Sequence, residues 1–137
     1  MKLVDVYDDV DFSARFLYAL LLERRPDESI SHRRMPSFDD HRRFIDHRPY
    51  LHWYLIRSKK CAVGSVYLTP MDEIGVHVLY AARGSGLGKK AVKAIMSRHP
   101  RKQFLANINP ANFQSISFFK GLGFRLIQQT YALEAST

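Results

Sequence analysis

The sequence predicts an α+β domain, a mixed central sheet flanked by helices, and three observations carry that prediction. Three strand-like runs follow one another at 51–57, 61–69 and 73–80, separated only by short polar turns, the pattern of an antiparallel meander. Helical periodicity fills the stretches on either side of the meander. Beyond it, a helix, a strand, a second helix and a last strand alternate, which a crossover onto the same sheet requires.

The elements follow in order. Residues 2–7 alternate as a first strand, and Asp8–Asp11 then supplies helix caps. Val10, Ala14, Leu17 and Leu21 recur at helical spacing, so a helix runs to about Arg25 and Pro26 ends it. Residues 26–38 are polar and contain Pro36. They read as a loop into a short helix that Ser37 caps, with Asp40 three residues on as an imperfect capping box. Ser58-Lys59-Lys60 and Thr69-Pro70-Met71-Asp72 punctuate the meander as hairpin turns. A helix from about Gly88 to Arg98 carries Leu87, Ala91, Ala94 and Ile95 as its apolar stripe. A strand is expected over 103–108 and a helix over 112–120, stopped by Gly121 or Gly123. A closing strand is expected over 124–133.

The 137 residues suffice for one hydrophobic core, a single domain over 1–137. Hydrophobic residues at 46% and charged residues at 25% fit a soluble globular protein, and no apolar run is long enough to span a bilayer. The run Phe16–Leu22 lacks the basic leader of a signal peptide. A lone cysteine, Cys61, excludes an internal disulfide and reads as a small buried strand residue in a reducing, cytoplasmic setting. The formal charge of +8 suits phosphate-rich ligands. The basic residues are scattered, however, without the aromatic-interleaved stripe of a nucleic-acid binder. No histidine or cysteine spacing suggests a metal site, so none is expected.

The most informative segment is Arg83-Gly-Ser-Gly-Leu-Gly88, set between a strand and a helix. Such a turn presents backbone N–H groups and the positive end of a helix, a cradle for phosphate. A P-loop would need Gly at 83 and Ser or Thr at 90, where the chain has Arg83 and Lys90. A dinucleotide fingerprint would need Gly-x-Gly-x-x-Gly and a later acid, and residues 101–110 contain none. What Arg83-x-x-Gly86-x-Gly88 resembles is the acetyl-CoA motif of the GNAT N-acetyltransferases. Downstream, Asn112-x-x-Ser115-x-x-x-Phe119-x-x-x-Gly123-Phe124 resembles that family's second signature at every spacing, with Phe119 in place of the usual Tyr.

The resemblance implies a GNAT-like fold and acetyl-CoA as cosubstrate. The turn Arg83, Gly84, Ser85, Gly86, Leu87, Gly88 and Lys89 would hold the pyrophosphate. The strand end Val78, Leu79 and Tyr80 would pair with the pantetheine arm, and Asn112, Ser115 and Phe119 would contact the cofactor. Glu73 and His77 lie on one face of a strand, by its period of two, and read as base and proton route out of the site. With Phe119 lacking a hydroxyl, the proton for the departing thiolate would come from Tyr131 or Ser115, or the thiolate leaves into water. Arg33, His41 and Trp53 are expected on the acceptor side. Arg33, Arg34 and Arg42 there suggest a phosphate-bearing, nucleotide-linked amino sugar as the amine acceptor. A protein or peptide amine is the alternative, and a non-catalytic acyl-CoA or nucleic-acid binding module is the rival of another class. No membrane partner is expected, and a homodimer is compatible with the chain.

Overall fold

The strand His52–Ser58 places Trp53 and Leu55 on one face and Tyr54 and Ile56 on the other, and all four are buried. A strand apolar on both faces has to be covered on both. The computed structural model of the chain, which describes residues 1–24 and 34–135, meets that demand with two helical layers. Strands β1 (Lys2–Asp5), β2 (His52–Ser58), β3 (Cys61–Leu68) and β4 (Ile74–Val78) form one antiparallel sheet in that order. Helices α1 (Val10–Leu22) and α2 (Phe38–Asp46) cover one face, burying Ala14, Leu17, Leu20 and Ile45 against Trp53 and Leu55. Helices α3 (Leu87–Arg98) and α4 (Phe113–Gly121) cover the other. There Ala91, Val92 and Ile95 meet Ile56, Val66 and Ile74, with Phe118 of α4 alongside.

Among the described residues, three of the four α-helices begin on a side-chain cap. Asp9 accepts from the Phe12 N–H at 3.2 Å, Ser37 from Asp40 at 3.1 Å and Asn112 from Ser115 at 3.1 Å. The capping box expected at Ser37 is incomplete, because the Asp40 carboxylate pairs with Arg43 instead of turning back.

Several expectations need correction. The first strand is shorter, since Val6–Asp9 winds into a 3₁₀ turn after Asp5. The strand expected over 103–108 reduces to one parallel bridge between Glu73 and Leu105. The closing strand over 124–133 does not form, and residues 125–135 are exposed. Gly123 (φ 97°) turns the chain off α4 and Phe124 packs on Phe119, their rings 5.1 Å apart. Cys61 is exposed at the start of β3, not buried. Its hairpin is unusual too: Lys59 and Lys60 both take positive φ, 51° and 70°.

Candidate active site

β4 is paired along its length on one side and barely on the other. Its odd residues address β3: the Thr69 N–H donates to the Glu73 carbonyl at 2.9 Å, and the Leu79 N–H donates to Val63 at 2.8 Å. Its even residues address the opposite side, where the Ile74 N–H donates to the Leu105 carbonyl at 2.7 Å. By the same alternation the peptide groups of Val76 and Val78 point to that side, and among the described residues the bridge at Glu73–Leu105 is not continued to them. The result is a slot along half of β4, closed at Glu73 and open toward the turn at 83–88.

That turn leads into α3, which has no side-chain cap. Gly86 is the N-cap of α3, in left-handed conformation (φ 79°), and Lys90 makes the first helical bond to it at 3.1 Å. The N–H groups of Leu87, Gly88 and Lys89 therefore face outward at the positive end of the helix. Gly84 (φ 84°) is left-handed as well, and a side chain at 84 or 86 would meet nothing within 4 Å, so the space over the turn is open. Gly88 differs: a Cβ there would reach Phe118 at 3.5 Å, an ordinary contact, so this glycine serves the approach of α3 to α4. Ser85 bonds back to the Ala82 carbonyl at 2.8 Å and holds the turn's shape, and Lys89 is exposed. These features fit a diphosphate at the turn and an amide-bearing arm in the slot.

Arg83 bends back into the slot. Its Nε donates to the Val78 carbonyl at 3.0 Å, its guanidinium lies 3.9 Å over the Tyr80 ring, and one terminal nitrogen stands 3.4 Å from His77 Nε2. Leu79 is half-buried with the α1–α2 layer, and the Tyr80 N–H donates to Glu23 at the end of α1 at 3.0 Å.

The Glu73 carboxylate is fixed on both oxygens. Thr69 Oγ1 donates to one at 2.9 Å and the Asn107 side-chain amide donates to the other. Its strand neighbours Gly75 and His77 pair with Tyr67 and Ser65 of β3. Sequence reasoning missed Thr69, Asn107 and Tyr67. The Tyr67 ring lies directly over Gly75, where a Cβ would stand 2.1 Å from Cζ and 2.3 Å from the hydroxyl. Tyr50 stacks on that ring at 3.8 Å, and burial pushes both phenols above their ordinary range. A glycine inside a strand marks such a close approach, so Gly75 was the available signal.

The remaining residues scatter. Tyr131 is 88% exposed and donates its hydroxyl to Gln129 at 2.8 Å, and no described contact joins it to Glu73 or His77. Asn112 spends its side-chain oxygen capping α4, with Ser115 in that cap's first turn. Phe119 is buried at 6%, edge-on to Phe118 and Phe124. His41 is buried beside Tyr18, and desolvation holds its pKa low. Trp53 is buried too, one edge reaching a cleft of about 300 Å³ that Asp5, Tyr7 and Tyr50 share. Arg42, read as a phosphate ligand, is instead held by Asp11 at 2.7 Å and Asp46 at 3.2 Å. Arg33 lies outside the described residues. Among the described residues no group of three or more metal-binding side chains assembles, and no helix is long and apolar enough to cross a membrane.

Comparison with known proteins gives a family and a fold. The model of the acetyltransferase (GNAT) family matches residues 14–124. No curated protein sequence matches the chain. Among solved structures, a ribosomal-protein-alanine N-acetyltransferase from Brucella melitensis superposes with a TM-score of 0.70 at 16% identity, covering 91% of this chain and 85% of its own. The yncA protein of Salmonella typhimurium, solved with its cofactor acetyl-CoA, gives 0.64 at 18% identity over 90% and 77%. An aminoglycoside 6′-N-acetyltransferase from Acinetobacter haemolyticus gives 0.70 at 15% identity over 100% and 99%. At such identities the likeness is one of fold.

Proposed function

The chain belongs to the acetyltransferase (GNAT) family, and from that premise we propose that it moves the acetyl group of acetyl-CoA to an acceptor amine by direct attack. One observation carries the reading: the half-open edge of β4 runs toward the start of α3, which has Gly86 at its N-cap and no side-chain cap. Backbone N–H groups of Leu87, Gly88 and Lys89 hold the pyrophosphate, with Gly84 and Gly86 leaving it room to approach. The Val76 and Val78 peptide groups hold the pantetheine arm, which places the thioester beside Gly75 and Glu73. When bound, acetyl-CoA supplies an activated acyl group. The chain orients it and takes up the proton that the amine loses.

Glu73 is the base of this scheme. Its carboxylate is held in place by Thr69 and Asn107 at the closed end of the slot, where an amine would arrive from the α1–α2 face. His77, two positions further along the same strand face than Gly75, extends the proton route toward Arg83 and solvent.

The acceptor proposed is an amino sugar. The Tyr50–Tyr67 aromatic pair beside a fixed carboxylate suits an acceptor that carries an amine on a partly apolar ring, and the likeness to an aminoglycoside acetyltransferase agrees. Arg42, engaged by two carboxylates, is not among the groups proposed to hold a phosphate on the acceptor. The likeness to a ribosomal-protein-alanine acetyltransferase favours a peptide amine as the second reading.

The test is calorimetric titration with acetyl-CoA, then free-thiol release with amino sugars, their nucleotide conjugates and peptide amines. Saturable binding with turnover on an amino sugar is the expected result. Turnover on peptides alone would move the acceptor to the second reading. Binding without turnover on any member would favour a non-catalytic acyl-CoA module, and no binding would remove the reading altogether.

A further inference from the structure

We infer that Tyr67 supplies the hydroxyl that meets the leaving sulfur, standing in for the one Phe119 lacks; the inference rests on the acetyl-transfer reading above. The position that would ordinarily bring a phenol from α4 is a phenylalanine, buried at 6% and enclosed by Phe118 and Phe124. Tyr131 is solvent-exposed and hydrogen-bonded to Gln129. Tyr67 approaches from the other direction. It stands on β3 opposite Gly75, and only the missing side chain at 75 lets the phenol lie across β4, its hydroxyl 2.3 Å from where a Cβ would be. That sets the hydroxyl on the strand that borders the slot, between Glu73 and His77. Tyr50, stacked flat at 3.8 Å with its ring within 3° of parallel, holds it there.

The chemistry balances with Tyr67 as a donor that keeps its proton. The amine nitrogen bonds to the carbonyl carbon, the C–S bond breaks, and its electron pair stays on sulfur. Tyr67 O–H hydrogen-bonds that sulfur as the charge develops. A thiol (about 8.5) is a stronger acid than a phenol (about 10), so the phenol is not deprotonated. The proton lost by the amine passes by way of Glu73 and water to the thiolate, and the products are an amide and a free thiol. Burial raises the Tyr67 pKa, which keeps the hydroxyl protonated throughout the range where a thiol titrates.

The test uses coenzyme A itself and needs no acceptor. The bound thiol is titrated by its thiolate absorbance in the wild type and in Tyr67→Phe, and the affinity of each protein for coenzyme A is measured by calorimetry. A hydroxyl aimed at sulfur makes the bound thiol about tenfold more acidic in the wild type than in Tyr67→Phe, with similar affinities. Gly75→Ala serves as the second variant. It keeps the phenol but displaces it, and should lose the same effect even if Tyr67→Phe folds poorly. Identical thiol titrations in the wild type and a folded variant would overturn the assignment. Failure of the wild type to bind coenzyme A would overturn the acetyl-transfer reading, and this one with it.

Discussion

At the scale of single residues, Arg83 sits where two demands conflict. Its Nε occupies the Val78 carbonyl, one of the backbone groups that the proposed function gives to the pantetheine arm. Binding the whole cofactor would draw the guanidinium off that carbonyl and over the Tyr80 ring toward the pyrophosphate, exchanging a neutral acceptor for an anionic one. The two halves of the cofactor should therefore report opposite effects of removing the side chain. Arg83→Ala is expected to weaken coenzyme A by roughly tenfold, the loss of a charge-assisted bond, and to strengthen binding of pantetheine, which has no diphosphate to offer. Calorimetry for the first and a nuclear magnetic resonance titration for the second would show it. A change of the same sign for both ligands would mean that Arg83 does not occupy the slot in competition with the arm.

At the scale of elements, what was legible in the sequence was what short-range rules govern. The helix cap Ser37 and the glycine turn into α3 act within four residues, and each was readable from its neighbours. The failures lie where partners are distant. Arg42 meets Asp11 from 31 positions away, and Tyr67 lies over Gly75 through strand register. The 124–133 segment has strand-like composition, yet among the described residues no strand pairs with it. The β2–β3 hairpin shows a local rule set aside. A two-residue loop with both φ values positive is the type I′ geometry that favours Asn-Gly, yet the chain carries Lys59-Lys60, and Arg57 steadies the loop with a bond to the Lys60 carbonyl at 3.1 Å. Left-handed backbone costs about 1–2 kcal/mol per ordinary residue. The double change Lys59→Asn with Lys60→Gly should accordingly stabilise the protein by about 1 kcal/mol, after the added freedom of glycine in the unfolded chain is subtracted. That appears as a rise of a few degrees in Tm with coenzyme A affinity unaltered. A lower Tm would mean that the lysines contribute something in this loop beyond tolerating its geometry.

At the scale of the whole molecule, acid should loosen both layers at once, because each sheet face carries histidines kept neutral by the fold. His41 is buried under the α1–α2 layer and its pKa is lowered by desolvation. His52 of β2 and His99 at the end of α3 stack at 3.4 Å, and Tyr54 holds His99 Nε2 at 2.8 Å, so this pair joins α3 to the sheet. Burial lowers both, first among their causes. Arg101 adds to the effect at each, Arg98 and His52 add to it at His99, and Asp5 opposes it weakly at His52. In the unfolded chain all three return to about 6.5. Above that value neither state is protonated and the stability is fully present. As pH falls below it, the unfolded chain binds protons that the folded one refuses, and stability is lost until the lowered folded values are reached. Protonation also adds to a molecule already at +8, so repulsion acts in the same direction. Tm should be flat above about pH 7 and fall as the pH drops below about 6.5. In His52→Gln, which removes one member of the stacked pair, the drop should be shallower, and a fall as steep as in the wild type would place the acid sensitivity elsewhere in the molecule.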